Sequence, residues 1–216
     1  HWLGEVTSQP ETAQDETERQ LGEVGCHPAP LVTVPTRPKE ELMSALSNTS
    51  IAIIATNGFE DSELLDPLTA VKEAGATVTV LSTETGEITG KNGATVSVDA
   101  TTAASTGTQY DAIVLPGGTG NADKIRMDED AVAIVRDHVS AGRPIGAICH
   151  AAWLLIEADA VRGRTVTSYP SLKTDLRNAG ATWVDEEVVE DGGIVSSRTP
   201  KDLPAFNAKL IEVFGK

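Results

Sequence analysis

Pro144-Ile145-Gly146-Ala147-Ile148-Cys149-His150-Ala151-Ala152-Trp153-Leu154-Leu155-Ile156 is the stretch whose reading decides the architecture. A short apolar run ends at a Cys-His pair, and a second apolar run of helical length begins two alanines later. That order reads as strand, abrupt turn, helix. A residue at such a turn sits in a sharp backbone bend and projects from the carboxyl edge of a sheet. It also sits at a helix N-terminus, where unpaired N–H groups favour negative charge. A thiol so placed is expected to lose its proton more readily than a free one, and the thiolate is the nucleophile. Free cysteine is otherwise commonly a small buried hydrophobe. The chain holds its own control, because Cys26-His27 is the same dipeptide followed by Pro28-Ala29-Pro30. No strand precedes it and no helix follows, so the context of Cys149, not the dipeptide, carries the signal.

Outward from this elbow, strand and helix alternate. Ile51–Ala55 is a continuous apolar run, as expected of a parallel strand covered on both faces. Asp61 to Ala74 reads as a helix stopped by Gly75, and 77–81 as the second strand. Residues 87–89 and 95–98 flank Gly90-Lys91-Asn92-Gly93 and read as a hairpin excursion. A third core strand, 111–115, ends at Pro116-Gly117-Gly118, and Asp128 caps a helix to about Ser140. Pro144–Ile148 is the fourth core strand. A helix near 171–179, strands near 187–190 and 194–197, and a last helix opened by Thr199-Pro200-Lys201-Asp202 complete the pattern. The class is α/β with a mostly parallel sheet.

Residues 1–48 differ from the rest. They hold five prolines, eight acidic against three basic residues, and no sustained hydrophobic period. Such a segment buries too little to offset its ordering entropy, and it lacks the basic start and apolar core of a secretory signal. It is expected to be an extension, with Met43 a natural translation start, and 49–216 to be a single domain. The net charge of −15 argues against nucleic acid and anionic membrane partners. No apolar run approaches the ~18 residues that span a bilayer. Two distant cysteines make no disulfide framework, so a reducing cytoplasm is the expected compartment.

In such sheets ligands meet the loops at the carboxyl ends of strands. Three loops converge there: 56–61 after the first strand, 116–121 after the third, and Cys149-His150. Glu60 stands at a strand end near the expected place of the thiol. As a neutral carboxyl it could donate to the sulfur, although Glu60, Asp61 and Glu63 also suit a helix N-terminus. Gly117 and Gly118 could turn backbone N–H groups toward a substrate and, with the N–H of His150, form an oxyanion hole; Pro-Gly-Gly also suits a plain turn. Gly117-Gly118-Thr119-Gly120 lacks the Lys-Ser/Thr of a phosphate loop and does not fit the dinucleotide fingerprint. Glu60 and Asp61 would repel a flavin phosphate, Pro116 stands where a receiver needs Asp, and no histidine follows His150 to complete an amidotransferase triad. His138 lies in a helix as a surface or packing residue, and no His/Cys/acid cluster has zinc spacing. No cofactor and no metal are expected.

Gly58-Phe59-Glu60-Asp61-Ser62-Glu63, Val114-Leu115-Pro116-Gly117-Gly118, Ala147-Ile148-Cys149-His150, Thr167-Ser168-Tyr169-Pro170 and Val195-Ser196-Ser197-Arg198-Thr199-Pro200 together resemble the PfpI branch of the ThiJ/PfpI superfamily, in order over roughly residues 50–214. The resemblance implies a flavodoxin-like three-layer sandwich assembled as a homodimer or higher homo-oligomer. It implies Cys149 as nucleophile, His150 as its neighbouring base, Glu60 as the acid that contacts the thiol, and Gly118 and His150 as oxyanion-hole donors. In protease-like members a Glu after Pro-Gly-Gly reaches the histidine of the adjacent subunit; the matching position here is Asp123, a shorter acid. Ala151-Ala152-Trp153 stands where relatives usually carry Gly-Pro-Gln or Gly-Pro-Trp. The activity implied is a cysteine hydrolase acting on peptides or on reactive carbonyls such as methylglyoxal and glycation adducts, protective under stress. A second expectation, from a different class, is a redox-sensing stress protein or chaperone in which Cys149 is oxidised without turnover. A third is a structural domain with an inert cysteine.

Overall fold

The computed structural model describes residues 44–216; the expectations for the preceding segment fall almost wholly outside them. The first strand, β1 (Ser50–Ile54), is followed by α1 (Asp61–Glu73), β2 (Thr77–Ser82), the hairpin β3 (Gly86–Thr89) and β4 (Thr95–Val98), β5 (Ala100–Thr101) and α2 (Thr102–Ser105). Then come β6 (Ala112–Leu115), α3 (Thr119–Ile125), α4 (Glu129–Ser140), β7 (Ile145–Ile148) and α5 (Ala152–Glu157). The last third adds β8 (Thr165–Val166), α6 (Lys173–Asn178), β9 (Thr182–Trp183), β10 (Val188–Asp191), β11 (Ile194–Ser197) and α7 (Leu203–Phe214).

One seven-stranded sheet runs β10-β11-β7-β6-β1-β2-β5. Every pairing in it is parallel except β10 with β11. The alternation of side chains along β1 explains why this sheet must be covered twice. Ile51 and Ile53 pack with Leu64 and Val71 of α1 and Phe206 and Leu210 of α7. Ala52 and Ile54 point the other way, into a cluster with Ile134 and Val135 of α4 and Leu154 and Leu155 of α5. Helix, sheet and helix therefore form three layers, as the sequence pattern indicates. Packing begins slightly before the expected boundary, because Leu46 is fully buried against the α7 side and its N–H bonds Ala74.

The chain leaves β1 for β2 on one side and returns to β6 on the other. Strand order thus reverses between β1 and β6, and their carboxyl-end loops splay apart there, the place where open α/β sheets bind ligands. Five short pieces escape sequence patterning: β5, α2, α3, β8 and β9. His138 is buried on α4, a packing position. No helix among the described residues is long and apolar enough to cross a membrane.

Candidate active site

β7 delivers Cys149 to the reversal point in a strained conformation. Its φ is +63°, a left-handed value that a non-glycine residue adopts only where surrounding structure compels it. The strand ahead is wholly buried and the turn behind is a single 3-10 turn into α5. The bend aims Sγ into a cleft of about 630 Å³ lined by Glu60, Glu63, Lys91, Gly118, Thr119, Cys149, His150 and Tyr169 among others. A cleft of similar size opens at the amino ends of the strands, near Asp111, Pro144 and Gly193, and no cysteine or histidine among the described residues lines it.

The acid against the thiol is Glu63, not Glu60. Glu63 is fully buried, and its side chain faces the Cys149 thiol and the Gly117 N–H, with neither carboxyl oxygen in a well-aligned hydrogen bond. Burial first, and the Glu60 charge second among the raising causes, push its carboxyl up to about 8, so it holds its proton at neutral pH. Glu60 instead precedes the helix, pairs with Lys91 and accepts from Asn92 Nδ2 at 3.4 Å. The reason is helical period. Glu63, Pro67 and Val71 lie four apart on the buried row of α1, whereas Glu60 is outside that row. An acid set on an otherwise apolar helix row is a signal that the sequence does carry.

Gly117 has no side chain because there is no space for one. A Cβ there would overlap the Glu63 carboxyl, and would lie 2.7 Å from Cys149 Cβ and 2.8 Å from the Ile148 carbonyl. Gly118, at φ +87°, would press a Cβ to 2.5 Å from the Glu60 nitrogen. Asn121 holds this loop from below: its amide donates to the Pro116 and Gly117 carbonyls at 2.9 and 3.0 Å and accepts from the Thr56 N–H at 2.7 Å. The backbone N–H groups of Gly118 and His150 both donate toward Sγ, so both sequence-singled donors stand at the sulfur.

His150 Nδ1 lies 3.2 Å from Sγ, and Nε2 lies 3.4 Å from Thr119 Oγ1. Its ring stacks on Tyr169 with centroids 4.7 Å apart and meets Trp153 edge-on at 5.4 Å. Burial first, then the Lys91 charge, lowers its pKa, which keeps the imidazole neutral. The sulfur is not acidified as the sequence suggests. Burial first, and Glu63 next, push the Cys149 thiol up; the two N–H donors oppose them without prevailing. The helix that was to supply a dipole is only six residues long, too short to offset a thiol that is 7 % exposed. Asp123 lies exposed on α3 and does not line the cleft of its own chain. Among the described residues no group of three His, Cys, Asp or Glu could hold a metal ion. Sequence reading passed over Glu63, Lys91, Thr119 and Tyr169 as site residues.

Comparison with known proteins places these features in company. A model of the DJ-1/PfpI family matches residues 49–213. "Deglycase PH1704" of Pyrococcus horikoshii is 45% identical over 163 residues, covering 76% of this chain and 98% of its own. "General stress protein 18" of Bacillus subtilis is 42% identical over 169 residues, covering 77% and 98%. The crystal structure of Drosophila melanogaster DJ-1beta superposes with a TM-score of 0.73 at 30% identity, covering 78% of this chain and 91% of that one.

Proposed function

Because the chain belongs to the DJ-1/PfpI family, we propose that it is a Cys149-dependent deglycase acting on reactive α-dicarbonyls and their early adducts, protective under stress. The observation that carries this reading is the cluster of one strained thiol, one protonated carboxyl, one neutral imidazole and two N–H donors around a single point. The name borne by the relative at 45% identity supports the substrate class.

The electrostatics support a resting thiol, with ionisation in step with attack. As Sγ adds to the aldehyde carbon of a dicarbonyl, its proton passes to His150 Nδ1. The C=O electron pair moves to oxygen, where the Gly118 and His150 N–H groups receive the charge. The thiohemiacetal then carries a C–H next to a ketone. The His150 imidazolium first returns its proton to the alkoxide; the imidazole, neutral again, then removes the C–H proton and delivers it to the neighbouring carbon, while the hydroxyl proton passes from the first oxygen to the second, which converts the adduct to a 2-hydroxyacyl thioester. Water hydrolyses the thioester and frees the 2-hydroxy acid, so the overall change is addition of one water with no external oxidant. Glu63, still protonated, donates to the sulfur as it departs.

Cys149→Ala abolishes the turnover of methylglyoxal, read as lactate formed, and leaves the fold intact. Lactate formation retained within about tenfold of wild type would overturn the assignment.

A further inference from the structure

The sulfur chemistry uses neither Glu60 nor Lys91, yet both line the cleft. Lys91 does not reach it by chance. The β3–β4 loop that carries it is sewn to the start of α1: the Asp61 carboxylate accepts from Asn92 N–H at 2.9 Å and Ala94 N–H at 2.8 Å. The Lys91 N–H bonds the Phe59 carbonyl at 2.9 Å, and the Gly58 N–H bonds Thr89 at 2.8 Å. Glu60 then fixes the ammonium, while its own carboxylate is steadied by Asn92. An ammonium has three donors; among the described residues Lys91 meets only Glu60, and its side chain remains 54 % exposed. Among the described residues it is the only permanent cation lining the cleft, in a chain whose net charge of −15 otherwise repels anions.

We propose that Lys91, oriented by Glu60, is a specificity residue that recognises a carboxylate carried on the same small molecule as the reacting carbonyl carbon. The preferred substrates are thus dicarbonyl adducts on free amino acids or other carboxylate-bearing carriers, in preference to neutral ones. Glu60 supplies the counter-charge that holds the ammonium in place, and a substrate carboxylate shares the ammonium with it. This inference rests on the reading of Cys149 as the reacting group, but its test does not require turnover.

The same thiolate displaces iodide from iodoacetate and from iodoacetamide, and the two reagents differ by one charge. The test is the ratio of their alkylation rates at Cys149, followed by mass spectrometry on the peptide that contains it. Lys91→Met lowers the iodoacetate-to-iodoacetamide ratio about fivefold, the scale of a half-exposed ion pair, and Lys91→Arg keeps it within twofold of wild type. An unchanged ratio in Lys91→Met overturns the proposal. In parallel, the methylglyoxal hemithioacetals of N-acetylcysteine and of 2-mercaptoethanol are compared as substrates. Lys91→Met raises KM for the anionic adduct alone; an equal rise for both overturns the proposal. Turnover that survives Cys149→Ala would refute the catalytic reading, and the alkylation ratio would still decide the role of Lys91.

Discussion

A thiol that is 7 % exposed beside a buried carboxyl cannot hold a full charge at rest unless that carboxyl is neutral. Glu63 meets this condition below about pH 8 and fails it above. Glu63→Gln keeps a donor and removes the titration, so the variant alkylates with iodoacetamide about tenfold faster than wild type at pH 9 and similarly at pH 7. Glu63→Ala removes the donor as well, and turnover falls about 100-fold. Equal pH–rate profiles for wild type and Glu63→Gln would exclude Glu63 as the partner of the sulfur. At this scale the sequence locates the strained cysteine but sets the wrong acid against it. Cys149 is marked by an abrupt change of period, a local property. Glu60 and Glu63 are separated only by which of them falls on the inward row of α1, and that requires placing the helix start to within one residue.

The parallel strands β1, β6 and β7 are legible because burial on both faces leaves uninterrupted apolar runs. α3 is not: Pro116-Gly117-Gly118-Thr119-Gly120 has the composition of a turn, and the helix is held by contacts that no local pattern encodes, among them the Asn121 bonds that tie its first turn to the loop beneath. β5 is two residues long and gains its place from pairing with β2, which no local pattern encodes. The loop after β6 is the element with least room for change. Gly117→Ala must displace the Glu63 carboxyl, Cys149 or the backbone of Ile148, and the last cannot yield without moving β7. The expected cost is about 2 kcal/mol in stability together with a turnover loss of about 100-fold or more. Both are checked by urea denaturation and lactate assay, and a fully active Gly117→Ala protein would show that the loop is looser than its contacts imply.

Across the whole molecule, two buried titrating groups on opposite sides of the sheet shape the stability profile. Burial first and Arg143 second lower the pKa of His138 to about 4. The unfolded chain therefore binds its proton at pH values where the folded one refuses it, and stability falls as pH drops from about 6.5 toward 4. Glu63 has the opposite sign: its carboxyl, raised to about 8, keeps a proton that the unfolded chain has lost, so stability falls as pH rises from about 4.5 to 8. Asp61, Asp111 and Asp202, each held below the usual carboxylate range, add a further loss only at lower pH. Between about pH 4.5 and 6.5 the two trends oppose and largely cancel, so stability is greatest across that range and falls above it, where Glu63 acts alone. His138→Gln removes the rise between about pH 4 and 6.5, worth up to about 3 kcal/mol, the limit set by its displacement from 6.5, so that variant loses stability steadily from about pH 4.5 to 8. Glu63→Gln removes the fall between about pH 4.5 and 8, so that variant gains stability up to about 6.5 and is level above it; the two residues sit on helices on opposite faces of the sheet, and their effects add. Urea midpoints at pH 4.5, 6.5 and 8.5 for both single variants and the double variant test this. A His138→Gln profile parallel to wild type between pH 4.5 and 6.5 would mean that the folded protein admits that proton after all.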